Sequence, residues 1–337
     1  MKNYLVIPLC SLLSFFLTSA SLVADAKLAS QEKLTPVVMQ LDWIFNAQFA
    51  GLYQAIEQGY FEAVGLDVEL RGGVTTANTV ELCLDEPKIS FGSCESNVLM
   101  AARAKGLPVV GIGTMFQDSP MGWMYSADSG IETFADLANK NIGTHSDGIR
   151  VVKLLLQQEG VDASEIKWFD ASHDPAQVID GRADALQCYY IDEFVKLQQM
   201  IGDRAKIFLA RDHGYKAYSQ VVFTGEETIK KHPKVVAQFL SAMKKGWAYA
   251  FANKEATVDL IQSDYNAEAD KPYQLASLKK IEELMRDANG ELFAPMDMAT
   301  WESGQAYLLK YDLIPNAIEL SDLIQQQFLP VGDGDGF

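Results

Sequence analysis

Short β-prone runs alternate with helix-like segments through most of this 337-residue chain, and that alternation limits its fold more than any other feature. Residues 36–40 and 66–70 read as strands, 76–84 as a helix, 88–91 as a strand, 96–105 as a helix and 108–115 as a strand. A second cycle follows Trp123: helix 131–138, strand 140–143, helix 149–159, strand 165–169, helix 176–180, strand 183–189 and helix 193–199. Asp174-Pro175 fits an N-cap followed by proline at the first helical position. Such alternation implies α/β architecture, with mainly parallel sheets covered by helices. The length is more than one simple core usually takes, so two lobes are expected. From Glu226 onward the pattern changes, and 234–253, 255–264, 275–288 and 298–311 are all helical in period.

The start of the chain has a separate character. Lys2 precedes an apolar run over about 5–17, and small and polar residues end in Ala24-Asp25-Ala26. This is the pattern of a cleaved secretory signal. The run is short for a bilayer span and Pro8 interrupts it. Residues 1–26 are therefore expected to leave the mature protein, with a cut after Ala20 as the alternative, and the location expected is periplasmic. Cys10 lies inside the apolar run, too early for a lipoprotein signal.

The formal net charge of −17 argues against nucleic acid and anionic membrane surfaces as partners. Cys83, Cys94 and Cys188 form no disulfide framework, and His145, His173, His213 and His232 do not pair at metal-ligand spacing. Asp333-Gly334-Asp335-Gly336 lacks the spacing and closing Glu of a calcium loop. No metal and no cofactor is expected, and no GxxxxGK[ST] phosphate loop occurs.

Candidate ligand residues come from the loops that follow strands, where open α/β sheets bind ligands. Trp43 offers a flat stacking surface, with Asn46 and Tyr53 as nearby polar groups. Ser93 and Glu95 lie in a glycine-containing strand-to-helix loop whose free N–H groups can meet an acceptor. Phe116 and Gln117 end the next strand. His145 sits in the corresponding loop of the second cycle. Tyr189, Tyr190, Asp192 and Glu193 close the last strand of that cycle. A carboxylate there can hold an exocyclic amine and a protonated ring nitrogen together, the fork that makes charged bidentate pairs strong. Capping and dipole roles explain Ser93, Glu95, Asp192 and Glu193 equally well when each is taken alone.

The spaced motifs carry a family resemblance. Leu41-Asp42-Trp43, Asn46, Ala50-Gly51-Leu52-Tyr53, Gly59-Tyr60-Phe61-Glu62 and Gly65-Leu66-Asp67-Val68-Glu69-Leu70 resemble the opening of the SsuA/THI5-like (NMT1/THI5-like) substrate-binding proteins. The likeness continues through Phe91-Gly92-Ser93-Cys94-Glu95-Ser96, residues 102–110 and Phe116-Gln117-Asp118-Ser119-Pro120, and fades after about Phe223. It implies a two-lobed periplasmic-binding-protein type II fold with a discontinuous first lobe and a ligand cleft between the lobes. The lobes expected are 27–124 plus 222–337, and 125–221, with crossovers near Tyr125 and Gln220–Thr224. It also implies a monomeric ABC-importer component that delivers its ligand to a membrane permease. Within the family the aromatic and acidic candidates favour a ThiY-type ligand, a thiamine pyrimidine precursor. There Glu193 would contact the pyrimidine, and Tyr189 or Tyr190 would face Trp43 across the ring. Flavin, sulfonate and aromatic-amine ligands stay open, as does coupling to a sensor kinase in place of a permease. The THI5-type pyrimidine synthases resemble the chain too. Their cofactor lysine falls at Cys94, their donor histidine near Val98, and their cysteine-rich run at about 211–224, which holds no cysteine. The chain is therefore expected not to be an enzyme.

Overall fold

Ten strands form two five-stranded sheets in the computed structural model, which describes residues 33–72, 79–164 and 166–330 and every side chain among them except those of Ser146 and Asp147. The expected signal segment and the acidic tail lie outside the described residues. The first sheet contains β1 (Thr35–Gln40), β2 (Leu66–Arg71), β3 (Ile89–Cys94), β4 (Val109–Phe116) and β10 (Ser219–Gly225), in the order β2-β1-β3-β10-β4. The second contains β5 (Met121–Ser126), β6 (Asn141–Thr144), β7 (Lys167–Asp170), β8 (Ala185–Tyr189) and β9 (Ala205–Leu209), in the order β7-β6-β8-β5-β9.

Both sheets are mixed rather than mainly parallel. β1 runs parallel to β3, and β6 runs parallel to β7 and β8. β10 runs antiparallel to β3 and β4, and β5 runs antiparallel to β8 and β9. The periodicity reading missed β5, β9 and β10. β10 and β5 are the strands by which the chain enters a sheet after leaving the other, and each is inserted between strands made earlier or later in the sequence. β10 lies between β3 and β4 although more than a hundred residues separate it from them, so the first sheet is discontinuous in sequence. Because all of β5 is in the second sheet and all of β10 in the first, the chain changes sheets between Phe116 and Met121 and again between Leu209 and Ser219. Both changes fall a few residues before the expected crossovers near Tyr125 and Gln220–Thr224.

The strands of the first sheet are apolar because helices cover them. β4 is buried at every position, and its neighbour β10 and the next strand β3 are nearly so. The long helix Pro233–Ala252 lays Phe239 against Phe91, with ring centroids 4.0 Å apart and planes within 8°, and Phe61 also stacks on Phe239 at 5.3 Å. Its C-terminal half crosses the helix Ala50–Glu57 so closely that Gly51 faces the Trp247 indole and Gly246 faces the Gly51 carbonyl. A second group from the C-terminal region, Trp301, Leu308 and Leu323, packs with Leu99, Val109 and Val221. In the second sheet, Trp123, Ile142 and Ala185 pack with Val151, Val152, Leu155 and Leu156 of the helix Ser146–Gln158. Cys83, Cys94 and Cys188 are free, buried thiols. Among the described residues, no helix is long and apolar enough to cross a membrane.

Candidate functional site

Loops at strand ends of both sheets enclose a cavity of ≈ 320 Å³. From the first sheet come Asp42 and Trp43, just past β1, Gln48 a turn later, Glu95 after β3, and Gln220 in β10. From the second come His145 after β6, Gln187, Cys188 and Tyr189 in β8, Asp192 and Glu193 beyond it, and His173 between β7 and the short helix Ala176–Ile179.

Asp42 is the most perturbed acid in this wall. It follows a run of apolar residues, is 2% exposed and lies wholly inside the fold. Burial raises its carboxyl to about 6, and two hydrogen bonds only partly offset the lost hydration. The Ser93 hydroxyl donates to Oδ1 at 3.1 Å, and the Gln220 amide donates to Oδ2 at 2.7 Å. Gln220 carries its own cost. Its φ of 57° is left-handed, a region where a side chain crowds the backbone. Its Oε1 is buried without a hydrogen-bond donor among the described residues. An unmet buried acceptor costs about 1–3 kcal/mol. The first-sheet wall therefore holds, beside a poorly hydrated carboxyl, a buried amide oxygen that lacks a donor among the described residues.

The opposite wall is organised by Glu193. Its Oε1 meets His173 Nδ1 at 2.9 Å and its Oε2 accepts the Tyr189 N–H at 2.9 Å. Burial works to raise this carboxyl, but the bonds from His173 and Tyr189 outweigh it and hold the group below its ordinary range, as a carboxylate. Nδ1 of His173 therefore carries the proton, and the bond to Glu193 raises the imidazole above its usual 6.5. A raised histidine adds stability that is complete below 6.5 and is lost as pH rises through the folded value. The His173 ring meets Trp43 edge-on at 5.7 Å and lies 5.0 Å from His145. Gln187 fixes the next turn by accepting from the Thr144 hydroxyl at 2.5 Å and the His145 N–H at 2.8 Å. Asp192 pairs with Lys196 at 2.6 Å, one helical turn on.

Six residues expected at the site line this cavity: Trp43, Glu95, His145, Tyr189, Asp192 and Glu193. The other six do not. Asn46 turns its side chain to the backbone and caps the following turn, accepting the Gln48 N–H at 2.9 Å. Tyr53 is fully buried and stacks on Tyr265 at 4.0 Å. Ser93 stands behind the wall and acts on it through Asp42. Phe116 is core, and the Gln117 N–H is tied to the Leu284 carbonyl at 2.8 Å. Tyr190 points away, its hydroxyl on Glu283 and its ring under the Lys280 ammonium, so Tyr189 is the second-sheet aromatic in the cavity. The expected carboxylate fork of Glu193 is also altered, since both oxygens already hold protein donors.

Asp42, Gln48, His173, Gln187, Cys188 and Gln220 were not expected. One had a readable signal: Asp42 is an acid directly after a run of buried apolar residues, where an ionised group needs a reason. Gln220 and His173 had none, because their neighbours lie 178 and 20 residues away. Among the described residues, four carboxylates and two histidines line the cavity, with no lysine or arginine. Among the described residues no group of three or more His, Cys, Asp or Glu is placed to hold a metal.

Known proteins share this architecture. The chain is 25% identical over 329 residues to the formylaminopyrimidine-binding protein of Halalkalibacterium halodurans, covering 96% of this chain and 98% of that one. It is 23% identical over 231 residues to a 4-amino-5-hydroxymethyl-2-methylpyrimidine phosphate synthase of Legionella pneumophila, covering 67% and 72%. The crystal structure of the periplasmic aliphatic sulphonate binding protein SsuA from Escherichia coli matches with a TM-score of 0.67 at 13% identity, over 91% of this chain and 96% of that one. The fold is thus the two-lobed α/β fold of periplasmic binding proteins, with a first sheet that is discontinuous in sequence. The profile described as NMT1/THI5 like spans residues 46–257, and the chain belongs to that family of small-ligand binding proteins and their relatives.

Proposed function

We propose that this protein captures a small, flat, amine-bearing heteroaromatic ligand, a thiamine-type pyrimidine precursor, between its lobes and delivers it to an ABC permease. The observation that carries this reading is the Asp42–Gln220 pair, which offers acceptors and asks for N–H donors. An aminopyrimidine supplies an exocyclic amine for the Gln220 carbonyl and, when its ring is protonated, a positive charge for Asp42. Trp43 and Tyr189 give the ring apolar surface. A sulfonate fits poorly, because among the described residues four carboxylates and no lysine or arginine face it. The name of the Halalkalibacterium halodurans relative points the same way.

Ligand held by one lobe gains contacts from the other, which shifts the pair toward the closed form that a permease can recognise. The synthase reading is less well supported. The position that matches the synthase lysine is Cys94, fully buried and with its thiol pushed up by burial, and it carries no amine. Release as an exported, monomeric protein rests on the 1–26 pattern and on the family.

Titration of the full chain with formylated aminomethylpyrimidine, followed by tryptophan fluorescence, tests the ligand. Saturation at about 1 μM or tighter is expected, with quenching lost in Trp43→Phe and affinity at least about tenfold weaker in Trp43→Ala. A flat titration of folded protein would remove the pyrimidine and leave the two-lobed binding fold. Glu193→Gln is expected to weaken binding at least about tenfold and to lower the titration midpoint of the His173 ring, read by NMR, because the carboxylate that holds its proton is gone. An unmoved His173 midpoint would mean that Glu193 does not organise this wall.

A further inference from the structure

The turn that carries the second-sheet ligand residues is anchored in the other lobe. Tyr189, Asp192 and Glu193 line the cavity from the second sheet, and Cys188 and Phe194 on either side of the turn pack in that sheet's own core. Ile191, between them, does not. It is 2% exposed and lies in the core of the first sheet, with Met115 and Phe116 of β4 and with Leu278, Ile281 and Leu284 of the helix Lys271–Met285. Among the described residues it is the one buried member of that core drawn from 121–209.

Polar contacts fix the same seat. The Ser277 hydroxyl donates to the Ile191 carbonyl at 2.6 Å, and Ser277 is itself buried. A helical serine often turns its hydroxyl back to its own helix, so this outward bond is a specific contact. The Tyr190 N–H donates to the Pro120 carbonyl at 2.8 Å, in the segment where the chain first changes sheets. One turn before Ser277, on the same face of the helix, Gln274 holds the other wall of the cavity. Its Oε1 accepts the Ala47 N–H at 2.7 Å, and Gln274 too is buried. That N–H opens the short helical turn Ala47–Phe49 just after Trp43, where a helix start leaves its donors unmet. One helix face thus grips both the turn that follows Trp43 and the turn 189–193.

We propose that Ile191, Ser277 and Gln274 are positioning residues of the ligand cavity, which seat the turn 189–193 in the first lobe before any ligand arrives. The inference rests on the reading of this cavity as the ligand site. Withdrawing the turn would return Ile191 to water and leave the Ser277 hydroxyl and the Ile191 carbonyl without each other. The protein itself, not the ligand, therefore sets the spacing between Trp43 on one wall and Tyr189 and Glu193 on the other. Binding is spared the cost of ordering that turn, which is how a preorganised site gains affinity without added contacts.

The test uses the full chain with isotope-labelled isoleucine methyl groups, freed of bound ligand by unfolding and refolding, and a soluble gadolinium chelate as the NMR probe of exposure. The Ile191 methyl is expected to match the relaxation enhancement of buried Ile112, not that of Ile44, which is 52% exposed. In Ser277→Ala it is expected to move toward the Ile44 value while Ile112 stays. Ser277→Ala and Gln274→Met are each expected to weaken binding of the formylated aminomethylpyrimidine by about three- to tenfold and to lower the tryptophan quenching at saturation. Gln274→Glu keeps an acceptor for Ala47 and is expected to restore both, a rescue that a general loss of packing would not show. Should Ser277→Ala fail to fold, the comparison of Gln274→Met with Gln274→Glu takes its place. A flat titration of the unaltered protein would count against the pyrimidine, and the ligand-free methyl comparison then decides this proposal by itself. An Ile191 methyl as exposed as Ile44 without ligand, unchanged affinity in both folded variants, or Gln274→Glu as weak as Gln274→Met would each overturn it.

Discussion

Replacing Asp42 by asparagine is expected to weaken pyrimidine binding by about tenfold to a hundredfold, the worth of one hydrogen bond to a charged group. The same change is expected to make the ligand-free protein more stable at pH 8. The two effects have one cause. The carboxyl lies near 6 in the folded chain against 3.8 as its ordinary value, so between those pH values the folded state binds more protons than the unfolded state. Stability therefore falls as pH rises through that window, and above it the whole cost stands, about 3 kcal/mol for a shift of this size. Asparagine never ionises and is spared that cost. It loses part of the network, because its one oxygen accepts from Ser93 or Gln220 but not from both, which costs about 1–2 kcal/mol. The net gain is expected above pH 6 and disappears below pH 4, where aspartate is protonated in both states. Thermal midpoints at pH 8 and pH 4 beside calorimetric titration check both halves. Unchanged affinity in the variant would remove Asp42 from the site, and a lower midpoint at pH 8 would mean that the carboxylate is better solvated than its burial implies.

Gly246→Val is expected to destabilise the protein by about 3 kcal/mol or more, at the upper end of what overpacking costs. A Cβ at Gly246 would stand 2.0 Å from the Gly51 carbonyl oxygen and 2.8 Å from the Ala55 nitrogen. Both are backbone atoms of the crossing helix Ala50–Glu57, so no side chain can swing aside. The helices must separate, and the fit of Trp247 over Gly51 goes with them. The better helix propensity of a residue other than glycine returns less than about 1 kcal/mol. Urea unfolding reads the result as a lower midpoint with an unchanged slope. Because Ala50–Glu57 follows directly on the loop that carries Trp43 and Gln48, weaker ligand binding is expected beside the stability loss. An unmoved midpoint would show that the helix pair has room that its backbone spacing denies.

These two residues also mark what can be read along the chain and what cannot. The strand-to-helix order, the helical C-terminal region and the family motifs are local properties, set by periods of two and near four and by residue spacing. They placed Trp43, Glu95, His145, Tyr189, Asp192 and Glu193 at the cavity, because a residue just past a strand end is carried to the sheet edge whatever the rest of the fold does. Where local chemistry has two outlets, the same reasoning chose wrongly. Asn46 satisfies a backbone N–H instead of facing the cavity, and Tyr190, one residue beyond Tyr189, leaves on the other side of the chain toward Glu283.

The antiparallel strands β5 and β10 were beyond such reading, since a strand's partners are chosen by what the remaining sheet leaves open. β10 brings Gln220 beside Asp42 across 178 residues of sequence. That pairing places an amide oxygen with no donor among the described residues beside a carboxyl that burial raises, the features that most favour an amine-bearing ligand. The sequence alone determined the fold class, the family and the strand-end residues, because local periodicity and spacing encode them. The tertiary structure decided which polar groups lose water together, because desolvation and hydrogen bonding depend on neighbours in space.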